Sequence, residues 1–470
     1  MERLTKRQFL KRALLTGGAL AASPILAACG AGAAPTAAPA APKAADPAKP
    51  AESKPAAETK PAATKGEVVI RLHMRAGGEK SEPAIYVDRP ALWSEETGYK
   101  LQLDPIPGGK DYIPKVDSMA AGGTIGDALW TSDVWSEHTH LVNFKVLEPV
   151  DQYLTSKNIK KTEWFQGIVD TLTINGKMYG LPKTGHPGDS YVWINLKMFE
   201  EAGIKKPEVY GTTLDQLAEW AVKLSKGPKD KRDVYGYRAA VDQIMSLSIG
   251  LRTFGGDLVG PDGTKSLLDS AEAADWLKWH HRLIAEEKVH PLGDAVPTAG
   301  IESLFGASRV AMMHAARASN FKVKNAVGDK FPWMTIQYPR GPKAKGWVFC
   351  VDTHSGTASS KKKDETFSLL YALADQKFAY GVAKTQGYLT GRVDNLEAIK
   401  EVAQDPFIQL QQKNVEQAEP FWRAKNLRVY EIESTMLNTL DNLWVGKAKP
   451  DADFQKSIKK AIDDVLAKPE

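Results

Sequence analysis

Apolar and polar positions along this chain follow two periods. "EVVIRLHM" (Glu67 to Met74) is a β-rich run, and "YKLQLD" sets Tyr99, Leu101 and Leu103 against Lys100, Gln102 and Asp104, the period of a strand. Between them "YVDRPALWSEETG" reads as a short helix stopped at Gly98, and "GDALWTSDVW" (Gly126 to Trp135) as a third strand with the loop at its C-terminal end. Further on the helical period dominates. "TLDQLAEWAVKL" places Leu214, Leu217, Trp220, Ala221 and Leu224 on one face, with Thr213 and Gln216 spaced as a capping box. "FSLLYALADQKF" carries a single stripe through Phe367, Leu370, Tyr371, Ala374 and Phe378, and the last helix aligns Phe454, Ile458, Ala461, Ile462 and Val465. Strand, helix and strand in succession predict an α/β protein with parallel units, whose ligands bind beyond the C-terminal ends of the strands.

The first 66 residues break this texture. A cationic start (Arg3 to Arg12), an apolar segment from Ala13 to Ile25 and small residues at Ala27 and Ala28 have the layout of a secretion signal, too short to remain as a membrane span. Residues 31–66 hold seven prolines and five lysines but no aromatic residue, so they cannot bury enough apolar area to fold. They read as a tether that, extended at about 3.1 Å per residue, reaches on the order of 110 Å. "LAAC" (Leu26 to Cys29) followed by Gly30 resembles the lipobox of bacterial lipoproteins, which implies cleavage after residue 28 and acylation of the Cys29 thiol. Each buried methylene of such a chain adds about 0.8 kcal/mol to membrane retention. "TKRQFLK" is similar to a twin-arginine export signal with Lys6 in place of the first arginine.

Composition narrows the function. With 470 residues the chain exceeds what one core of roughly 250–300 residues accommodates, so two lobes are expected. Of the net charge of +5, the first thirty residues carry +4, and the near-neutral remainder offers no dense basic face for nucleic acid. Cys29 and Cys350 are the only cysteines, which excludes a disulfide framework and thiol metal clusters. Cys350, in "GWVFCVDTH", is expected to be a small buried hydrophobe. No G-x-S-x-G, H-E-x-x-H or Walker-type loop occurs, "HTH" (His138 to His140) and "WHHR" (His280, His281) lack a third metal ligand, and Glu286 and Glu287 read as a solvated helix face. Neither a metal nor a cofactor is expected.

Six stretches, collinear across residues 67–465, carry a family resemblance: "LEPVDQYL", "INGKMYGLPKT", "YVWINLKMFEEAGI", "FGGDLVGPDG", "LFGASRVAMMHAA" and "TQGYLTGR". They resemble the extracellular solute-binding proteins that include maltose-binding protein. The resemblance implies the two-lobe type II periplasmic-binding-protein fold with a central cleft. Its first lobe comprises residues 67–183 and 350–391, its second 184–349 and 392–470, and the crossings fall near Lys183 to Pro187, Trp347 to Val351 and Gly391 to Asp394. It further implies a monomeric, non-enzymatic receptor of an ABC importer on the outer face of the cytoplasmic membrane, anchored through Cys29. Such a receptor captures a carbohydrate or similar small polar solute and delivers it to two permease subunits coupled to a cytoplasmic ATPase. Ser308 and Arg309 depart from the family's Gly-Lys or Gly-Glu pair, and Trp193 and Ile194 stand where tyrosines are more usual.

A sugar presents flat apolar faces and a rim of hydroxyls, so its site needs aromatic planes and planar donors and acceptors. The loop "LWTSDVWSE" supplies Trp130 and Trp135 for stacking and Thr131, Ser132 and Asp133 for hydroxyls, at the C-terminal end of a predicted strand. In "PKTGHPGDSYVW" the implied crossing brings His186, Asp189 and Tyr191 to the cleft. The resemblance carries contacts onto the residues after Met312, among them His314 and Arg317, whose guanidinium suits an anionic or hydroxyl-rich ligand. Trp347, Tyr388, Trp422 and Tyr430 complete the candidates. The same residues leave open a secreted glycoside hydrolase, which needs two carboxylates about 5–10 Å apart across a cleft.

Overall fold

The computed structural model describes residues 68–469 except 77–81, 109–110, 342, 344–346, 388, 395–403 and 423. The expected signal, Cys29, the tether and Tyr388 lie outside the described residues. All described residues belong to one compact unit, Thr64–Glu470.

Two sheets organise it. In chain order the strands are β1 (Val69–Ala76), β2 (Lys100–Pro107), β3 (Ala128–Ser132), the short pair β4 (Thr173–Ile174) and β5 (Lys177–Met178), β6 (Leu181–Pro187), β7 (Tyr191–Asn195), β8 (Tyr235–Arg238), β9 (Val310–Ala315), β10 (Trp333–Gln337), β11 (Trp347–Gly356) and β12 (Ala418–Glu419). The first sheet has the order β12-β11-β3-β1-β2, with β6 also paired to β11; the second is β10-β7-β9-β8. β1 runs parallel to β2 and β3, as the strand-helix-strand pattern predicts, whereas β11 returns antiparallel on both β3 and β6.

The central strands β7 and β9 of the second sheet are buried on both faces, which is why "YVWIN" and "VAMMHA" are mainly apolar without a period of two. Alternation along β7 sends Val192 and Ile194 into one cluster with Leu217 and Trp276, and Tyr191 and Trp193 into another with Phe305 and Phe407. Around the first sheet Ile70, Leu72 and Val351 cluster with Phe367 and Leu370, and Leu129 and Trp130 cluster with Tyr112 and Leu141.

The chain passes between the sheets from β6 to β7 and back from β10 to β11. It passes once more between the helix Gln376–Gln386, whose Phe378 and Val382 sit in the first core, and the helix Pro406–Val415, whose Phe407 and Leu410 sit in the second. Where two of these passages meet, Gly185 and Gly391 are in backbone contact. A Cβ on Gly391 would lie 3.3 Å from the Gly185 Cα and 2.6 Å from Ile168 Cδ1, and Gly391 itself has φ +99°. Only glycine gives both that conformation and that clearance.

Two expectations are corrected. The stripe from Phe367 to Phe378 is not one helix but two, Lys363–Ala372 and Gln376–Gln386. Asp375 breaks it: one carboxylate oxygen accepts the Phe378 N–H at 2.8 Å as an N-cap, and the other takes Arg89 Nη2 at 2.7 Å. The apolar period survives because both segments lie on the first core. Cys350 is half-buried rather than buried, because alternate positions of β11 (Cys350 and Asp352) are partly exposed while Phe349 and Val351 enter the core.

Ser308 adopts φ +54°, the left-handed region that a glycine occupies most easily, and Asn195 Nδ2 donates to its hydroxyl at 3.2 Å. The departure from the family's glycine thus costs backbone strain and gains a side-chain bond. Among the described residues no helix is long and apolar enough to cross a membrane.

Candidate functional site

The site is built from the loop that leaves β3. Asp133 fixes it: its N–H donates to the Val351 carbonyl at 3.2 Å and its Oδ1 accepts the Val351 N–H at 2.8 Å, so the loop is clasped to the crossing strand β11. Ser136 has φ +57° and starts the helix Glu137–Asn143 abruptly, a backbone strain of the kind that functional loops hold. Val134 and Trp135 thereby reach the second lobe's core while β3 remains in the first sheet.

Trp135 meets Tyr430 from the helix Val429–Trp444, ring centroids 4.7 Å apart and planes 2° from parallel. The Tyr430 hydroxyl donates to Glu137 Oε1 at 2.7 Å. Glu137 is 1% exposed and its Oε2 has no hydrogen-bond partner. Burial pushes its carboxyl up to about 7, with Asp352 adding to the rise and the Tyr430 hydroxyl and Arg75 opposing it. Burial likewise raises the Tyr430 phenol, followed by the nearby Glu137. Half-buried Arg75, at the C-terminal end of β1, lies over the Trp130 ring at 5.1 Å, and the Trp130 indole is edge-on to Tyr112.

A second polar chain joins the two sheets. Arg317, after β9, donates through Nη2 to Thr184 Oγ1 at 3.3 Å, and Thr184 Oγ1 in turn donates to Asp352 Oδ2 at 3.3 Å. The β6–β11 register shifts between Asp352 and Thr353, so Lys183 is passed over and Thr184 sits opposite Asp352. His186 faces Cys350 on the adjacent strand. Burial holds its imidazole well below the usual range, and Arg317 pushes the same way.

The structure therefore gathers Trp130, Trp135 and Tyr430, with Ser132 opposite Asp352, into one region, and His186 and Arg317 with Thr184 and Cys350 beside it. Other candidates are occupied within the protein. Thr131 bonds His138 Nδ1 at 3.0 Å. Asp189 accepts the Ser246 hydroxyl, and its carbonyl takes His314 Nε2, while His314 stacks on Tyr338 at 4.1 Å. Burial raises the Asp189 carboxyl to about 6 and lowers His314 to about 3. Tyr191 packs edge-on to Phe407 in the second lobe, its phenol raised by burial. Trp347 is fully buried at the start of β11 with Arg340 over its ring at 4.8 Å. Trp422 donates to Ser248 at 2.8 Å and lines a different cavity of about 500 Å³, together with Asp170, Thr171, Arg252, Asp257 and Phe421.

Sequence reasoning did not single out Arg75, Glu137, Thr184 or Asp352. The signal for Arg75 was available, since it directly follows the expected run Glu67 to Met74, as the Trp135 loop follows its own strand. Glu137, two residues past the loop's last expected contact, Trp135, gives no sign in sequence of being buried. Among the described residues no three His, Cys, Asp or Glu side chains gather as a metal site.

Residues 93–409 match the family profile described as "Bacterial extracellular solute-binding protein". No curated protein sequence matches the chain significantly. Solved structures similar to it include an ABC substrate-binding protein of Listeria monocytogenes in complex with cycloalternan, with TM-score 0.71, 17% identity, and 85% of this chain and 99% of that one covered. A solute-binding protein of Thermotoga lettingae bound with α-D-tagatose gives TM-score 0.69, 18% identity, and 85% and 100% covered. The sugar-binding protein MalE of Xanthomonas citri gives TM-score 0.70, 15% identity, and 85% and 98% covered. Across these structures the fold is the two-lobe type II α/β architecture.

Proposed function

Because the chain belongs to the bacterial extracellular solute-binding proteins, we propose that it captures a carbohydrate between its two lobes and delivers it, unaltered, to an ABC permease. The observation that carries this reading is the Trp135–Tyr430 face. It joins an aromatic plane from each lobe and is rimmed by the planar polar groups of Arg75, Glu137 and Asp352, the complement of a sugar's flat face and hydroxyl edge. That similar structures hold cycloalternan and tagatose supports the same chemistry.

Closure is a hinge motion about the crossings at Lys183 to Pro187, Trp347 to Val351 and Gly391 to Asp394, with lobes of residues 67–183 plus 350–391 and 184–349 plus 392–470. Ligand contacts made from both sides favour the closed form, which the permease subunits recognise and a cytoplasmic ATPase drives through. Acyl chains on Cys29 and the tether of residues 30–66 hold a monomeric receptor at the outer face of the cytoplasmic membrane. Calorimetry of the purified chain against neutral and acidic mono- and oligosaccharides tests the reading, with chromatography of the recovered ligand. Saturable binding without cleavage is expected. Hydrolysis of the bound sugar replaces the reading with a glycosidase, and binding of no carbohydrate overturns it.

A further inference from the structure

The arginines Arg71, Arg89, Arg238, Arg252, Arg392 and Arg428 each pair with a carboxylate: Asp104, Asp375, Asp242, Asp257, Asp394 and Glu431 respectively. Arg75 differs. It is half-buried over the Trp130 ring, and its guanidinium has no hydrogen bond or ion pair with any described residue. Glu137 lies close enough to feel its charge but makes no hydrogen bond to it, and the planar fork matches the paired oxygens of a carboxylate or phosphate.

The acids around it are engaged in ways that leave that fork open. Asp133 is bound by the Val351 N–H, Asp352 by the Thr184 hydroxyl and Glu137 by the Tyr430 hydroxyl. The second oxygen of Glu137 is buried and unpartnered. With its carboxyl near 7, Glu137 is able to take up a proton when an anion enters beside it, which removes one of the negative charges that face the ligand.

Resting on the carbohydrate reading above, we propose that the cleft takes an anionic sugar. Its carboxylate or phosphate is held by the Arg75 fork, and its ring lies against the Trp135 and Tyr430 face. A protonated Glu137 donates from Oε2 to an oxygen of the same ligand.

Calorimetry of the full chain with glucuronate, galacturonate and glucose 6-phosphate, each against glucose or galactose as neutral parent, tests this and separates carboxylate from phosphate. At least one anionic sugar should bind about tenfold or more tighter than its parent. In Arg75→Gln the ratio of acidic to neutral affinity should fall to about one, with Arg75→Lys retaining part of it. Unchanged circular dichroism and melting of both variants verify that the fold is intact. Neutral parents binding as tightly as the acids, or a preference that survives Arg75→Gln, overturns the proposal and leaves the carbohydrate reading in place. Binding of neither class overturns the proposal, and the carbohydrate reading falls with it when the oligosaccharides above fail to bind as well.

Discussion

Trp135 and Tyr430 lie flat against each other, centroids 4.7 Å apart and planes 2° from parallel, and Glu137, two residues past Trp135, takes the hydroxyl of the same tyrosine at 2.7 Å. One short loop leaving β3 of the first sheet thus grips one side chain of the helix Val429–Trp444 by face and by edge. The two grips are separable. Trp135→Ala should weaken carbohydrate binding about 10- to 100-fold in calorimetry. Tyr430→Phe keeps the aromatic face but strands the buried Glu137 oxygen, and should lower stability by about 1–3 kcal/mol in urea unfolding.

Glu137 should make stability depend on pH. Its carboxyl is near 7 in the folded protein against an ordinary 4.5, so the folded state binds the proton more tightly. Its contribution is fully present below about 4.5 and is lost as pH rises through about 7. Glu137→Gln keeps an acceptor for Tyr430 and never ionises. Relative to the parent it should gain stability progressively from pH 5 to 8, by up to about 3 kcal/mol, measured as the difference in urea unfolding free energy. A difference constant across that range contradicts the buried, unpaired carboxyl.

Gly391→Ala should destabilise the protein by about 2–4 kcal/mol, since a Cβ there meets Ile168 and Gly185 in a left-handed backbone. Thermal melting gives the loss. Gly176→Ala, at φ +75° but with open space around it, should cost less, because only the conformational part remains.

Asp375→Ala removes an N-cap and uncovers Arg89, whose side chain is 10% exposed. The expected loss is about 3–4 kcal/mol by denaturant titration, larger than a cap alone, because a nearly buried cation is left without its main partner. Asp375→Asn, which can still cap, should recover part of it.

Much of this was readable in the residues. The period of "YKLQLD" gives β2, Thr213 and Gln216 form the capping box that their spacing requires, and Asn175-Gly176 makes a turn with both φ positive. The strand-end rule singled out Trp135 as a stacking plane for a ligand, but its pairing with Tyr430 spans nearly three hundred residues and leaves no local signal. Asp375 escaped because a capping aspartate can interrupt a helical stripe without disturbing its apolar period. Thr184 and Asp352 escaped because a register shift in antiparallel pairing, invisible in either strand alone, sets them opposite each other.

Small-angle X-ray scattering of the purified chain, with and without each sugar that calorimetry shows to bind, tests the mobile two-lobe receptor most directly. The account predicts a ligand-dependent fall in radius of gyration that saturates with the calorimetric isotherm and is lost in Trp135→Ala at the same sugar concentration. Saturable binding with an unchanged scattering curve contradicts it.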